Sequence, residues 1–124
     1  MRWLAGIVCL GLAGCAPELP ETGTPTPYDG RWTGKASPAG AGCYAFTIIV
    51  DVRFGKLVGE IRDGSKLGDV WGDIGPDGKL NGKIGVAGVR GARADVQLDA
   101  ETGKGVGSYD SNPCSGTLEM VRAG

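Results

Sequence analysis

One five-residue frame recurs four times and limits the folds open to this chain. It reads Gly30-Arg31-Trp32-Thr33-Gly34, Gly55-Lys56-Leu57-Val58-Gly59, Gly78-Lys79-Leu80-Asn81-Gly82 and Gly103-Lys104-Gly105-Val106-Gly107. Each is a glycine, a base, two further residues and a glycine, and the first glycines stand 25, 23 and 25 residues apart. The intervening segments lack a sustained helical period, whereas alternation at period two is frequent, so each frame opens a β-hairpin. Tyr44, Phe46, Ile48, Val50, Val52 and Phe54 share one face, with Ala45, Thr47, Asp51 and Arg53 opposite and Ile49 as the exception. Ala92, Ala94, Val96 and Leu98 alternate likewise against Arg93, Asp95, Gln97 and Asp99.

Four hairpins make eight strands, expected at residues 29–36, 43–54, 56–62, 68–74, 79–86, 91–99, 104–109 and 114–122. The fold class is therefore all-β, an antiparallel up-and-down meander of about eight strands with no substantial helix. Glycine inside a strand costs stability, so Gly59 and Gly82 on the inward face need a reason. Sharp coiling and close strand approach in a small barrel supply one. Closure also removes the exposed edges that a meander otherwise leaves. A flatter β-sandwich is the alternative. Phe54-Gly55, residues 75–78 and residues 99–103 are compact turns with Gly where positive φ is needed. Residues 37–42, 63–67, 87–90 and 110–113 connect the opposite, distal end more loosely.

A meander whose first strand carries Gly30-Arg31-Trp32 resembles the calycin group of lipocalins and avidins, and also small bacterial protease-inhibitor barrels. The resemblance implies that Trp32 packs the floor of a barrel. The polar set with which avidins hold biotin and the helix of lipocalins have no counterpart, so no ligand is carried over.

The amino-terminal segment reads as an address. Met1-Arg2 is followed by an uncharged, mostly apolar run from Trp3 to Gly14. Twelve residues at helical rise cover about 18 Å, too little for a hydrocarbon core of roughly 30 Å. A charged start, a short apolar run and small residues at its end are the parts of a secretory signal. Leu12-Ala13-Gly14-Cys15 resembles the lipobox of bacterial lipoproteins. The resemblance implies cleavage after residue 14, acylation of Cys15 and anchoring in the lipid bilayer. Two or more acyl chains anchor stably where one is marginal. Ala16 after the cysteine, rather than Asp, points by the enteric sorting pattern to the outer membrane. Residues 15–27, with four prolines between Ala16 and Pro27, read as an extended tether reaching up to roughly 35 Å. The β-domain then occupies residues 28–124.

With Cys9 removed with the signal and Cys15 lipidated, Cys43 and Cys114 remain and are expected to form one disulfide in an oxidising compartment. Strict alternation places Cys43 outward and Cys114 inward, so a bridge requires frayed strand starts or a register one residue different.

Catalytic chemistry has little to work with. The chain has no His, which removes imidazole bases and His-ligated metals, and its net charge of −1 offers no basic stripe to nucleic acid. Asp63, Asp69, Asp73 and Asp77 recur near-regularly, but neither an EF-hand nor a Gly-Gly-x-Gly-x-Asp repeat is present, so turn and surface roles explain them. No metal, cofactor or enzymatic activity is expected. Binding is the remaining class, with Trp32, Trp71 and Tyr109 as aromatic candidates. Trp71 falls on the outward face, where it is an anchor for a protein contact unless the register returns it to the core. The leading expectation is an outer-membrane lipoprotein whose domain binds a protein or other envelope component. A calycin-type carrier of a small hydrophobic ligand and a periplasmic protease inhibitor acting through its distal loops are the alternatives.

Overall fold

A computed structural model describes residues 18–86, 89–111 and 114–123. The signal segment and Cys15 lie outside the described residues, as do parts of two distal connections, residues 87–88 and 112–113. The described chain is all-β. Its strands are β1 (Gly30–Pro38), β2 (Phe46–Arg53), β3 (Lys56–Asp63), β4 (Ser65–Ile74), β5 (Lys79–Val86), β6 (Val89–Asp99), β7 (Lys104–Asp110) and β8 (Ser115–Arg122). Each pairs antiparallel with the next, and β1 closes on β8 from Trp32 opposite Arg122 to Pro38 opposite Gly116. The eight-stranded meander is thus a closed barrel rather than a sandwich.

The repeated frame has a structural counterpart at each of its ends. All four first glycines, Gly30, Gly55, Gly78 and Gly103, have positive φ. The base that follows each one starts its strand or, in Arg31, lies one residue inside it. The second glycines face the interior. A Cβ on Gly59 would stand 2.0 Å from the Ile49 carbonyl oxygen, and one on Gly107 2.0 Å from that of Asp95. Here the strands coil so tightly that a methyl group would meet the neighbouring backbone. Gly107→Ala is therefore expected to cost more than about 2 kcal/mol by overpacking. Gly40→Ala, where a Cβ meets nothing within 4 Å, is expected to stay within about 0.5 kcal/mol of the parent. Urea denaturation of the pair checks both.

Gly72 and Gly82 face each other across the ladder, whereas other interior glycines lie between large side chains. Gly59 sits between Val50 and Val70, and Gly107 between Val96 and Leu118. The result is a filled core in which no side chain of the buried set from Trp32 to Met120 is more than 8% exposed, with no buried charge among the described residues. Small barrels of this strand number either fill or hold one small ligand. This one is filled.

Several expected boundaries move. β2 begins at Phe46, three residues later than its alternation suggests, and Tyr44 leaves the inward set for solvent. β4 begins at Ser65, so the loose loop expected over residues 63–67 is instead a tight turn at Gly64 with a register shift between Ile61 and Arg62. Phe54 is not a core residue of β2. It sits in the β2–β3 turn with φ 56°, an uncommon conformation for a bulky side chain.

Residues 18–27, read from the sequence as an extended spacer, fold back onto the end of the barrel that carries the compact turns, the base. Gly23 lies against the Phe54 side chain so closely that a Cβ there would be 2.8 Å from its Cβ and Cγ. Leu19 and Pro20 are half-buried beside the same turn. The Tyr28 ring covers Gly78, and the Thr26 methyl approaches Gly55. The proline content alone favours extension, but Phe54 offers an apolar surface on which that extended chain can lie.

Candidate functional site

The base is locked by one carboxylate. Asp29 accepts hydrogen bonds from the Thr26 hydroxyl (2.7 Å) and from the Phe54 backbone N–H (3.0 Å), tying the entering chain to the strained β2–β3 turn. Burial works against its ionisation, but the Thr26 hydroxyl and the backbone amides of Phe54, Thr26 and Gly55 together hold its pKa below the ordinary carboxylate value. A depressed folded-state pKa adds stability above the unfolded-state value, about 3.9, and that stability is lost as pH falls through the folded value. Asp29→Asn is expected to be less stable at pH 7 and to lose less than the parent between pH 5 and the acid limit. Urea midpoints measured across that range check the sign.

Trp32 forms the floor above this lock. It is 0% exposed, donates its ring N–H to the Tyr28 carbonyl at 2.9 Å, and carries the Arg122 guanidinium 4.9 Å over its ring. Arg122 is itself held by the Ala100 carbonyl at 3.0 Å. Trp32 is therefore enclosed from both sides and reaches no docking partner.

The opposite, distal end is built differently. Cys43 and Cys114 form a disulfide with Cα atoms 5.8 Å apart. Both precede their strands, Cys43 by three residues and Cys114 by one, so neither is bound by strand alternation, and the inward/outward conflict disappears. Ala39 N–H donates to the Ser115 carbonyl at 2.9 Å, and Ser111 N–H to the Cys114 carbonyl at 2.7 Å. The β1–β2 connection is thereby stapled to the entry of β8. On it, Tyr44 is 79% exposed. Beside it runs a shallow cleft between this connection and the β3–β4 turn, lined by Ala45, Phe46, Arg62 and Asp63 among others. Leu67, 43% exposed, is the third residue of β4 at the same end.

Below the cleft, Phe46 and Tyr109 meet edge to face with ring centroids 5.1 Å apart and close the distal end of the core. Tyr109 is 3% exposed, and its buried hydroxyl has no hydrogen-bond partner among the described residues. Burial pushes its pKa above the usual phenol value. An unmade hydrogen bond of this kind costs about 1–3 kcal/mol. Trp71 keeps its outward position, half-buried on the barrel wall between Val58 and Lys83 on the neighbouring strands. The three aromatic candidates thus lie apart: Trp32 in the floor, Trp71 on the wall, Tyr109 under the distal mouth.

Tyr44, like Phe54, is a residue that period-two reading misplaces. The signal that marks it is its position next to Cys43, since a bridge between strand entries pulls its neighbours off the ladder. The four aspartates do not converge. Asp69 pairs with Lys66 at 2.9 Å and Asp73 with Lys56, while Asp77 bonds the Lys79 amide within its turn. Among the described residues no three His, Cys, Asp or Glu side chains gather where a metal ion would sit. No protein-family model and no curated protein sequence matches this chain.

Proposed function

We propose that this protein is an envelope lipoprotein, anchored through acylated Cys15 in the outer membrane, whose non-enzymatic barrel binds a protein or other envelope component through its distal end. The observation that carries this reading is Tyr44, an aromatic side chain 79% exposed on a loop that the disulfide holds in place beside a cleft. An aromatic anchor already fixed by covalent structure binds with less loss of conformational freedom than one on a free loop. Trp71 on the wall is a second contact of the same chemical kind. The filled interior weighs against the small-ligand carrier, which needs a lumen.

A photo-crosslinking amino acid at position 44, expressed in envelopes, tests the reading. A discrete adduct from position 44 that is absent from position 77 at the base is expected. Equal labelling from both ends, or none from 44, counts against it. The protease-inhibitor alternative uses the same distal face and is separated by titrating proteases with the purified domain. For the anchor, palmitate incorporation that persists in a Cys15→Ser protein refutes lipidation.

A further inference from the structure

We infer that the strap-covered base of the barrel is a seat for lipid headgroups, so that the domain rests on the bilayer instead of standing off from it. The inference rests on the acylation of Cys15. Residues 18–27, which as an extended spacer would lift the domain, are spent in crossing the base: Gly23 on Phe54, Thr26 and Asp29 bonded to each other, and Asp29 bonded to the Phe54 amide. Only two residues separate Cys15 from Glu18, where the described strap begins. Three steps of chain reach at most about 11 Å. An acylated Cys15 lies at the membrane surface, so the base must lie there too.

The chemistry of the base suits a headgroup layer and not the hydrocarbon beneath it. Among the described residues the large exposed apolar side chains lie outside the base turns: Tyr44 and Leu67 at the distal end, Val106 and Val121 on strands, with Val121 opposite Lys104 at the rim. The bases of the repeated frames, Arg31, Lys56, Lys79 and Lys104, ring this rim because each follows the glycine that turns the chain there. Arg31 is paired with Asp51 and Lys56 with Asp73, whereas Lys79 and Lys104 make no ion pair among the described residues. Asp77, Asp99 and Glu101 stand in the same turns, and Glu18 and Glu21 are exposed on the strap itself. The rim therefore offers Lys79 and Lys104 to phosphate groups and its more numerous carboxylates to the ammonium or choline groups beside them, which fits a zwitterionic surface.

The full acylated protein in phosphatidylcholine nanodiscs containing a gadolinium-chelate headgroup lipid provides the test, with palmitate content measured by mass. The amide signals of Gly78 and Gly103 at the base are expected to be lost to paramagnetic broadening, while that of Gly64 at the distal turn persists. A strand of ten residues is roughly 33 Å long, enough to separate the two ends in this measurement. Gly23→Ile, which pushes the strap off Phe54 without touching the barrel, is expected to restore the Gly78 and Gly103 signals. Acylated protein whose base amides remain sharp overturns the seat alone. Protein carrying no palmitate overturns the lipoprotein reading and the seat with it.

Discussion

Replacing both Cys43 and Cys114 by alanine, or reducing the bridge, is expected to lower stability by about 4 kcal/mol in the chain-entropy model. The bridge joins residues 71 apart in sequence, so most of the domain lies within the loop it closes in the unfolded chain. For a domain of this size the loss corresponds to a fall in melting temperature of roughly 15–30 °C. The bridge lies outside the strands, so the ladders and the filled core do not depend on it directly. The variant is therefore expected to fold to the same barrel at low temperature. Thermal melts of parent and variant, with and without reductant, measure the effect. A reductant that frees both thiols and leaves the melting temperature unchanged contradicts it. The same variant loosens the loop that carries Tyr44, so crosslinking from position 44 is expected to weaken even where the domain remains folded.

Trp32→Ala has an effect of similar size from the other end of the barrel, about 3–5 kcal/mol for a fully buried aromatic side chain. Three losses combine. The cavity opens on Val50 across the ladder, the Tyr28 carbonyl loses its donor, and the Arg122 guanidinium loses the ring beneath it. Tyr28 and Asp29 belong to the chain that locks the base, so the damage extends to the strap. Trp32→Phe keeps part of the packing and loses the ring N–H, and is expected to fall between parent and alanine variant. Urea denaturation with an unchanged slope and a lowered midpoint is the signature of a stability change of this kind. A loss below about 1 kcal/mol in Trp32→Ala, the level of an ordinary point substitution, contradicts the floor role.

The two variants probe opposite ends of one arrangement. The base combines a buried Trp, a carboxylate lock and a docked strap; the distal end combines a disulfide, a shallow cleft and an exposed Tyr. If Cys15 carries lipid, these become a membrane-facing end and a partner-facing end. The distal crosslinking and the headgroup broadening test the two halves of that assignment separately.

Strand order and number were legible because a hairpin repeat is local. Glycines where the chain must turn, and alternation where one face is buried, leave a mark within a few residues of the feature they cause. Ile49, the one apolar residue out of phase in β2, lies on the outer surface in the position that alternation assigns it. The disulfide was legible by elimination among four cysteines. Tyr44 was not, because alternation records which way side chains point and does not record where backbone pairing stops. The Cys43 bridge ends that pairing early, and nothing in the period shows it.

By itself, then, the sequence determined an all-β meander of eight strands, the compact turns at its base, and a bridge between Cys43 and Cys114. Tertiary structure alone decided that β1 closes on β8, that the interior is filled, and that residues 18–27 lie on Phe54 instead of extending away. Closure and filling depend on curvature and on the summed volumes of side chains from all eight strands, which no single segment encodes. The strap depends on a contact between Gly23 and a Phe54 ring 31 residues further along the chain. Its local composition favours extension, and only the surface it meets determines where the extended chain comes to rest.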